Sequence, residues 1–130
     1  MKSQRFGIEI EMTGLTRRSA ALIIAKHFDT GFRHERGVYD TYSVCDQDGR
    51  KWKIVRDASI TPQCGNRFDY DPDYKVEVVS PICHYEDIGT IQSIVRELRR
   101  NGHAKVNESC GIHIHVDASK HTARSLRNIA

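Results

Sequence analysis

The chain has 130 residues, enough for one domain with one core, and its apolar and charged fractions are those of an ordinary globular protein. Its 20 basic and 17 acidic residues leave a net charge of +3, too small an excess to imply nucleic acid. No apolar run approaches the about 20 residues of a membrane span, and Met1 to Arg5 lack the apolar stretch of a signal peptide, so the expected compartment is the cytoplasm.

Residues 5–12 alternate apolar and acidic side chains, the period of a strand with Phe6, Ile8, Ile10 and Met12 on one face and Gly7, Glu9 and Glu11 on the other. Gly14 marks a turn and Thr16 a helix cap; residues 17–28 then read as a helix with Ala21, Leu22, Ala25 and Phe28 at helical spacing. Residues 29–37 read as a loop. Residues 38–46 and 50–56 read as strands around Gln47-Asp48-Gly49, a hairpin signal. Residues 61–73, with two prolines and three aspartates, read as an exposed loop. Residues 74–80 form a strand stopped by Pro81. Residues 86–101 form a helix with Ile88, Ile91, Ile94, Val95 and Leu98 on one side and Gly102 just past its end. Residues 111–117 alternate again as a strand, and a third helix is expected from Thr122.

This order, β-α-β-β-β-α-β-α, predicts one α+β domain over residues 1–130, a largely antiparallel sheet with helices covering one face. The basic clusters at Arg17–Arg18 and from Arg96 to Arg100 read as solvated helix faces. Cys45, Cys64, Cys83 and Cys110 contain no C-x-x-C pair and read as free thiols rather than a zinc knuckle.

The chemistry is expected on the bare face of that sheet. Glu9-x-Glu11 puts two carboxylates on one side of a strand, about 7 Å apart along the chain, where they repel unless a hard cation joins them. His113-x-His115 places two imidazoles by the same geometry, with Gly111 before them to admit a close neighbour. Glu77, between Val76 and Val78, needs a partner if it is buried; the plain candidate is a lysine or arginine.

Four segments together resemble the amidoligase family, a branch of the glutamine synthetase and glutamate–cysteine ligase superfamily. They are Phe6-Gly7-Ile8-Glu9-Ile10-Glu11, Trp52-Lys53-Ile54-Val55-Arg56-Asp57-Ala58-Ser59-Ile60, Val76-Glu77-Val78-Val79-Ser80-Pro81 and Cys110-Gly111-Ile112-His113-Ile114-His115-Val116-Asp117. The resemblance implies a glutamine synthetase-like catalytic domain that joins a carboxylate to an amine with ATP and Mg²⁺ or Mn²⁺. It implies that Glu9, Glu11, Glu77 and His113 hold divalent cations and that His115 lies near the ATP phosphates. Asp57 matches an acidic position near the acceptor amine or the other metal, and Arg56 before it could meet a carboxylate. Its substrates would be small-molecule or peptide carboxylates and amines.

Members of that family are longer and carry further acidic ligands and phosphate-binding arginines after the His-x-His strand. The chain is therefore expected to be the N-terminal, incomplete part of a catalytic domain, completed by an oligomeric partner or a C-terminal half and with little or no ligase turnover by itself. Two rival readings are a non-catalytic remnant that binds a metal or a partner, and a metal-dependent hydrolase built on His113-x-His115-x-Asp117.

Overall fold

The computed structural model describes residues 4–116. Its elements are β1 (Phe6–Met12), α1 (Arg17–Phe28), β2 (Phe32–Arg36), β3 (Thr41–Cys45), β4 (Lys51–Val55), β5 (Gln63–Cys64), β6 (Arg67–Phe68), β7 (Val76–Val79), α2 (Ile88–Gly102) and β8 (Ile112–Val116). Six strands form one sheet in the order β2-β3-β4-β7-β1-β8, and every neighbouring pair is antiparallel. The architecture is α+β, as the alternating strands and the two periodic helices imply. The helix expected from Thr122, and Asp117 with it, lie outside the described residues.

Both helices cover one face of the sheet, because strand residues of one parity are apolar there. Ile10, Met12, Tyr42, Val44, Trp52, Ile54, Val76 and Val78 meet Ala21, Ile24, Ala25, Phe28, Ile91, Ile94 and Leu98 in a single cluster. Full burial of each large side chain stabilises by about 1.5–3 kcal/mol. The other parity, with Glu9, Glu11 and Glu77, faces away from the helices.

Helix α1 begins at Thr16, whose side chain accepts from the Ser19 amide, and stops at Asp29 in the left-handed region with φ 56°. Its buried stripe is Ala20, Ala21, Ile24, Ala25 and Phe28; Leu22 is 57% exposed, against the sequence reading. The helix lies flat on the sheet through its alanines, which turns Leu22 out.

In α2, Ile91, Ile94 and Leu98 are buried, whereas Ile88 and Val95 are partly exposed at the margin of the stripe. Gly102 is the last helical residue, and His103 supplies the left-handed cap with φ 61°. The glycine serves packing instead: a Cβ there would lie 2.7 Å from Ile23 Cδ1 and 2.9 Å from Leu15 Cδ1.

Two further expectations are corrected. Residues 29–37 contain an edge strand, β2, whose Arg33, His34, Glu35 and Arg36 are exposed and so lack the apolar alternation of a core strand. Arg17 is not on a solvated face. It is 3% exposed and bonds Asp40, Asp73 and the carbonyls of Pro72 and Lys75, clamping the β2–β3 turn and the segment before β7 to the start of α1. The 61–73 loop carries the short β5–β6 hairpin, and Gln63 within it is buried against Thr13. Among the described residues, no helix is long and apolar enough to cross a membrane.

Candidate functional site

The register of the sheet aligns the charged residues in two cross-strand rows on its open face. Glu77 stands opposite Val55 on one side and Glu11 on the other. In the next row Val79 stands between Lys53 and Glu9, and Glu9 is paired with His113. Side chains directly opposite on one face have Cβ atoms about 4.5–5.5 Å apart, so each row is a line of near neighbours. Glu9 and His113 therefore share a face. Asp57 follows the end of β4, beside the row of Glu77.

Two groups of ligand-type atoms result, each with all its atoms within 4.8 Å of one another: Glu9, Glu77 and His113, and Glu11, Asp57 and Glu77. Glu77 belongs to both. The four residues expected to hold metal thus divide between two adjoining groups. Asp57, expected near the acceptor amine or the other metal, stands in the second. His115 is in neither group; its Nε2 lies 3.2 Å from Glu9 Oε1, and His113 Nδ1 lies 3.6 Å from the same oxygen.

The surroundings fix these side chains unequally. Glu11 is 5% exposed, and its Oε1 accepts the Gly111 backbone N–H at 2.7 Å. A Cβ on Gly111 would stand 3.3 Å from that oxygen, so the glycine lets the two segments approach. Asp57 accepts from the Ser59 amide at 2.9 Å and from Ser59 Oγ at 2.7 Å. The two histidines are on the edge strand and more than half exposed.

The electrostatics are those of crowded carboxyls. Burial, then a hydrogen bond to Asp57 and the charges of Glu9, Asp57 and Glu11, push the Glu77 carboxyl up to about 7. A hydrogen bond to Asp57, and then burial, also raise Glu11, although the Gly111 N–H opposes the rise. Asp57 receives those bonds, from Glu11 first, then from Ser59 and Glu77, and is held far below the usual carboxylate range. Among the described residues no lysine or arginine forms an ion pair with Glu77, so its partners are not the cations that the plain reading of the sequence suggests.

Such an arrangement suits a hard divalent cation. Mg²⁺ takes oxygen ligands at about 2.1 Å, so opposite corners of its octahedron are about 4.2 Å apart, and side-chain shifts of a few tenths of an ångström would close either group. Bound there, the cations would replace the protons that the carboxyls otherwise retain. Sequence reading misses Lys53, which the register puts on the same face and in the same row as Glu9 and His113. The signal lies in the alternation of Lys53 with Trp52 and Ile54, but its alignment with Glu9 needs the strand order.

Two shallow clefts border the centre. One, of about 370 Å³, runs from His115 along Phe6, Gly7, Ile82 and Val116 and is mostly apolar. The other, of about 300 Å³, lies beside Asp57 and Glu77.

Fold and site together define the class: an α+β protein whose antiparallel sheet carries helices on one face and a carboxylate–imidazole centre on the other. The chain belongs to the amidoligase family, since the family model described as "Putative amidoligase enzyme" matches residues 2–130, nearly its whole length. No curated protein and no solved structure matches it.

Proposed function

We propose that the protein is an ATP-dependent carboxylate–amine ligase that forms an amide through an acyl phosphate. The observation that carries this reading is the pair of overlapping ligand groups joined at Glu77, in a chain of the amidoligase family. A carboxylate does not yield an amide unless its oxygen becomes a better leaving group. Transfer of the γ-phosphoryl of ATP achieves that, after which an amine displaces phosphate.

Phosphoryl transfer depends on positioning and on neutralising charge at phosphate oxygens. Divalent cations, Mg²⁺ or Mn²⁺, supply that neutralisation when bound. Glu9, Glu77 and His113 would hold one, and Glu11, Asp57 and Glu77 the other. His115, beside Glu9, would hydrogen-bond phosphate, and the apolar cleft beyond it offers room for a nucleobase. Arg56 and Asp57 line the cleft on the far side of Glu77, from which the carboxylate and amine substrates would approach. The sheet is a rigid platform for all of these groups.

Among the described residues His113 groups with Glu9 and Glu77 rather than with His115, which favours the ligase over the hydrolase alternative; Asp117 of the hydrolase motif lies outside them. The test has two parts. Titration with Mn²⁺ should show two ions per chain, with Glu77→Gln losing both and Glu9→Ala losing one. Turnover with ATP, Mg²⁺, an amine and glutamate labelled with heavy oxygen in its carboxylates should place label in inorganic phosphate. Label in AMP would mean an adenylate mechanism, and binding of no divalent ion would overturn the proposal.

A further inference from the structure

The open face of the sheet changes character across its width. On β8, β1 and β7 it carries His113, His115, Glu9, Glu11 and Glu77. On β4 it carries Lys51 and Lys53, because Trp52 and Ile54 turn into the core. One row crosses every strand: Arg33, Ser43, Lys53, Val79, Glu9 and His113. Lys53 is thus separated from the Glu9–His113 end of the row by Val79 alone.

The cations of this basic half are not equivalent. Lys51 Nζ donates to Glu35 Oε1 at 3.3 Å, and Ser43 Oγ donates to the same oxygen at 3.1 Å, so that carboxylate is already matched. Arg33 is on the far edge strand, about 19 Å from Glu9 at about 4.8 Å for each strand spacing. Lys53 is exposed, and among the described residues it forms no hydrogen bond or ion pair; only its charge reaches Glu35. Two spacings, about 9.6 Å, separate it from Glu9. A lysine stem of single bonds near 1.5 Å extends about 6 Å. Laid over Val79, its ammonium would stop about 3–4 Å short of Glu9, close to the length of one charge-assisted hydrogen bond. It is too far to pair with that carboxylate and would repel a divalent cation held there. An anion between the two resolves both conditions.

We propose that Lys53 binds the γ-phosphoryl group of ATP. The inference rests on the ligase reading, in which the triphosphate begins beside His115 at the β8 edge and runs toward β4, and it adds a substrate-binding residue to that reading. In the transfer, the bond from the γ-phosphorus to the β,γ-bridging oxygen breaks and its electron pair leaves with ADP. An oxygen of the substrate carboxylate forms the new bond to phosphorus. Lys53 keeps its proton throughout and neutralises the equatorial oxygens. A compact charge on a flexible stem can follow the phosphorus as it moves.

The experiment is calorimetric titration of the native chain, Lys53→Met, Lys53→Arg and Lys51→Met. Each is titrated with Mn²⁺ alone, then at saturating Mn²⁺ with the ATP analogue that carries an imido β,γ bridge, and with AMP. Lys53→Met should weaken the analogue about tenfold or more and leave AMP unchanged, while Lys53→Arg keeps most of the affinity. Mn²⁺ alone should bind Lys53→Met as tightly as the native chain or more tightly, since a like charge has been removed. Lys51→Met, which removes the same charge from the same strand, should bind the analogue as the native chain does. Unchanged melting curves show that the variants are folded. Native affinity for the analogue in Lys53→Met, equal losses for the analogue and AMP, equal losses at Lys51 and Lys53, or weaker Mn²⁺ binding by Lys53→Met would each overturn the proposal and leave the ligase reading standing. A native chain that binds Mn²⁺ but not the analogue would sink both.

Discussion

The backbone N–H of Gly111 donates to Glu11 Oε1 at 2.7 Å, joining residues one hundred positions apart. The contact fixes the least exposed carboxyl of the centre through a backbone group that no side-chain substitution elsewhere can replace. Gly111→Val would push a branched side chain toward that oxygen, which would stand only 3.3 Å from the new Cβ. Groups that orient ligands typically matter about 10–100-fold in metal affinity. We expect about a tenfold loss of Mn²⁺ affinity with little change in thermal stability, measured by calorimetric titration and a melting curve.

The Glu77 carboxyl should make both stability and cation binding depend on pH. Its pKa in the folded chain, about 7, lies above its ordinary value of 4.5, so folding favours the protonated form. The stabilisation from this proton is complete below about 4.5 and is lost as pH rises through about 7. Without added cation, Glu77→Gln should therefore be more stable than the native chain at pH 8, by about 1–2 kcal/mol after allowing for solvent screening. Urea titrations at pH 5 and pH 8 measure this; an equal difference at both would be the contrary result.

A cation competes with the same proton. Mn²⁺ affinity of the native chain should climb with pH up to about 7 and level off above it, as the Glu77 carboxyl loses its proton. Calorimetry in two buffers of different ionisation heat should show a proton released on binding at pH 6. No dependence on the buffer would mean that Glu77 is not displaced from its proton by the ion.

Asp46 holds the β3–β4 hairpin from inside. Its buried carboxylate accepts from Trp52 Nε1 at 3.1 Å, from Arg50 Nε at 3.0 Å and from the amides of Asp48 and Arg50. Asp46→Ala leaves buried donors unpaired, at about 1–3 kcal/mol for each such group. A loss of about 3 kcal/mol in chemical denaturation is expected, with the ligand groups left intact.

The two faces of α1 should respond differently to truncation. Ile24 is fully buried and Leu22 is 57% exposed. Ile24→Ala should cost about 2–5 kcal/mol, whereas Leu22→Ala should stay near about 0.5 kcal/mol. Comparable losses at the two positions would place the helix in the rotation that its sequence spacing alone suggests.

Much of this protein is written locally. The alternation of Glu9 and Glu11 with Ile8, Ile10 and Met12 assigns β1 and both of its faces, because side chains of a strand alternate whatever surrounds them. The same holds for His113 and His115 on β8, and for Glu77 between two valines that the core takes. Thr16 caps α1 as its place in the sequence implies, since a cap uses only neighbouring amides. The edge strand β2 is not legible in the same way, because an exposed strand with charged residues lacks the apolar period that marks a buried one.

Tertiary structure decided what depends on neighbours distant in sequence. The order of strands puts Glu77 between Val55 and Glu11 and so makes it common to both ligand groups. The end of β4 brings Asp57 to Glu11 and Glu77, and no local pattern distinguishes such an aspartate from one that caps a turn. Arg17 is the plainest case. Beside Arg18 it reads as surface charge, and only the convergence of Asp40, Asp73 and two carbonyls makes burial of its guanidinium tolerable. Periodicity reports which way a side chain points; what it meets there is set by chain segments that only the fold brings together.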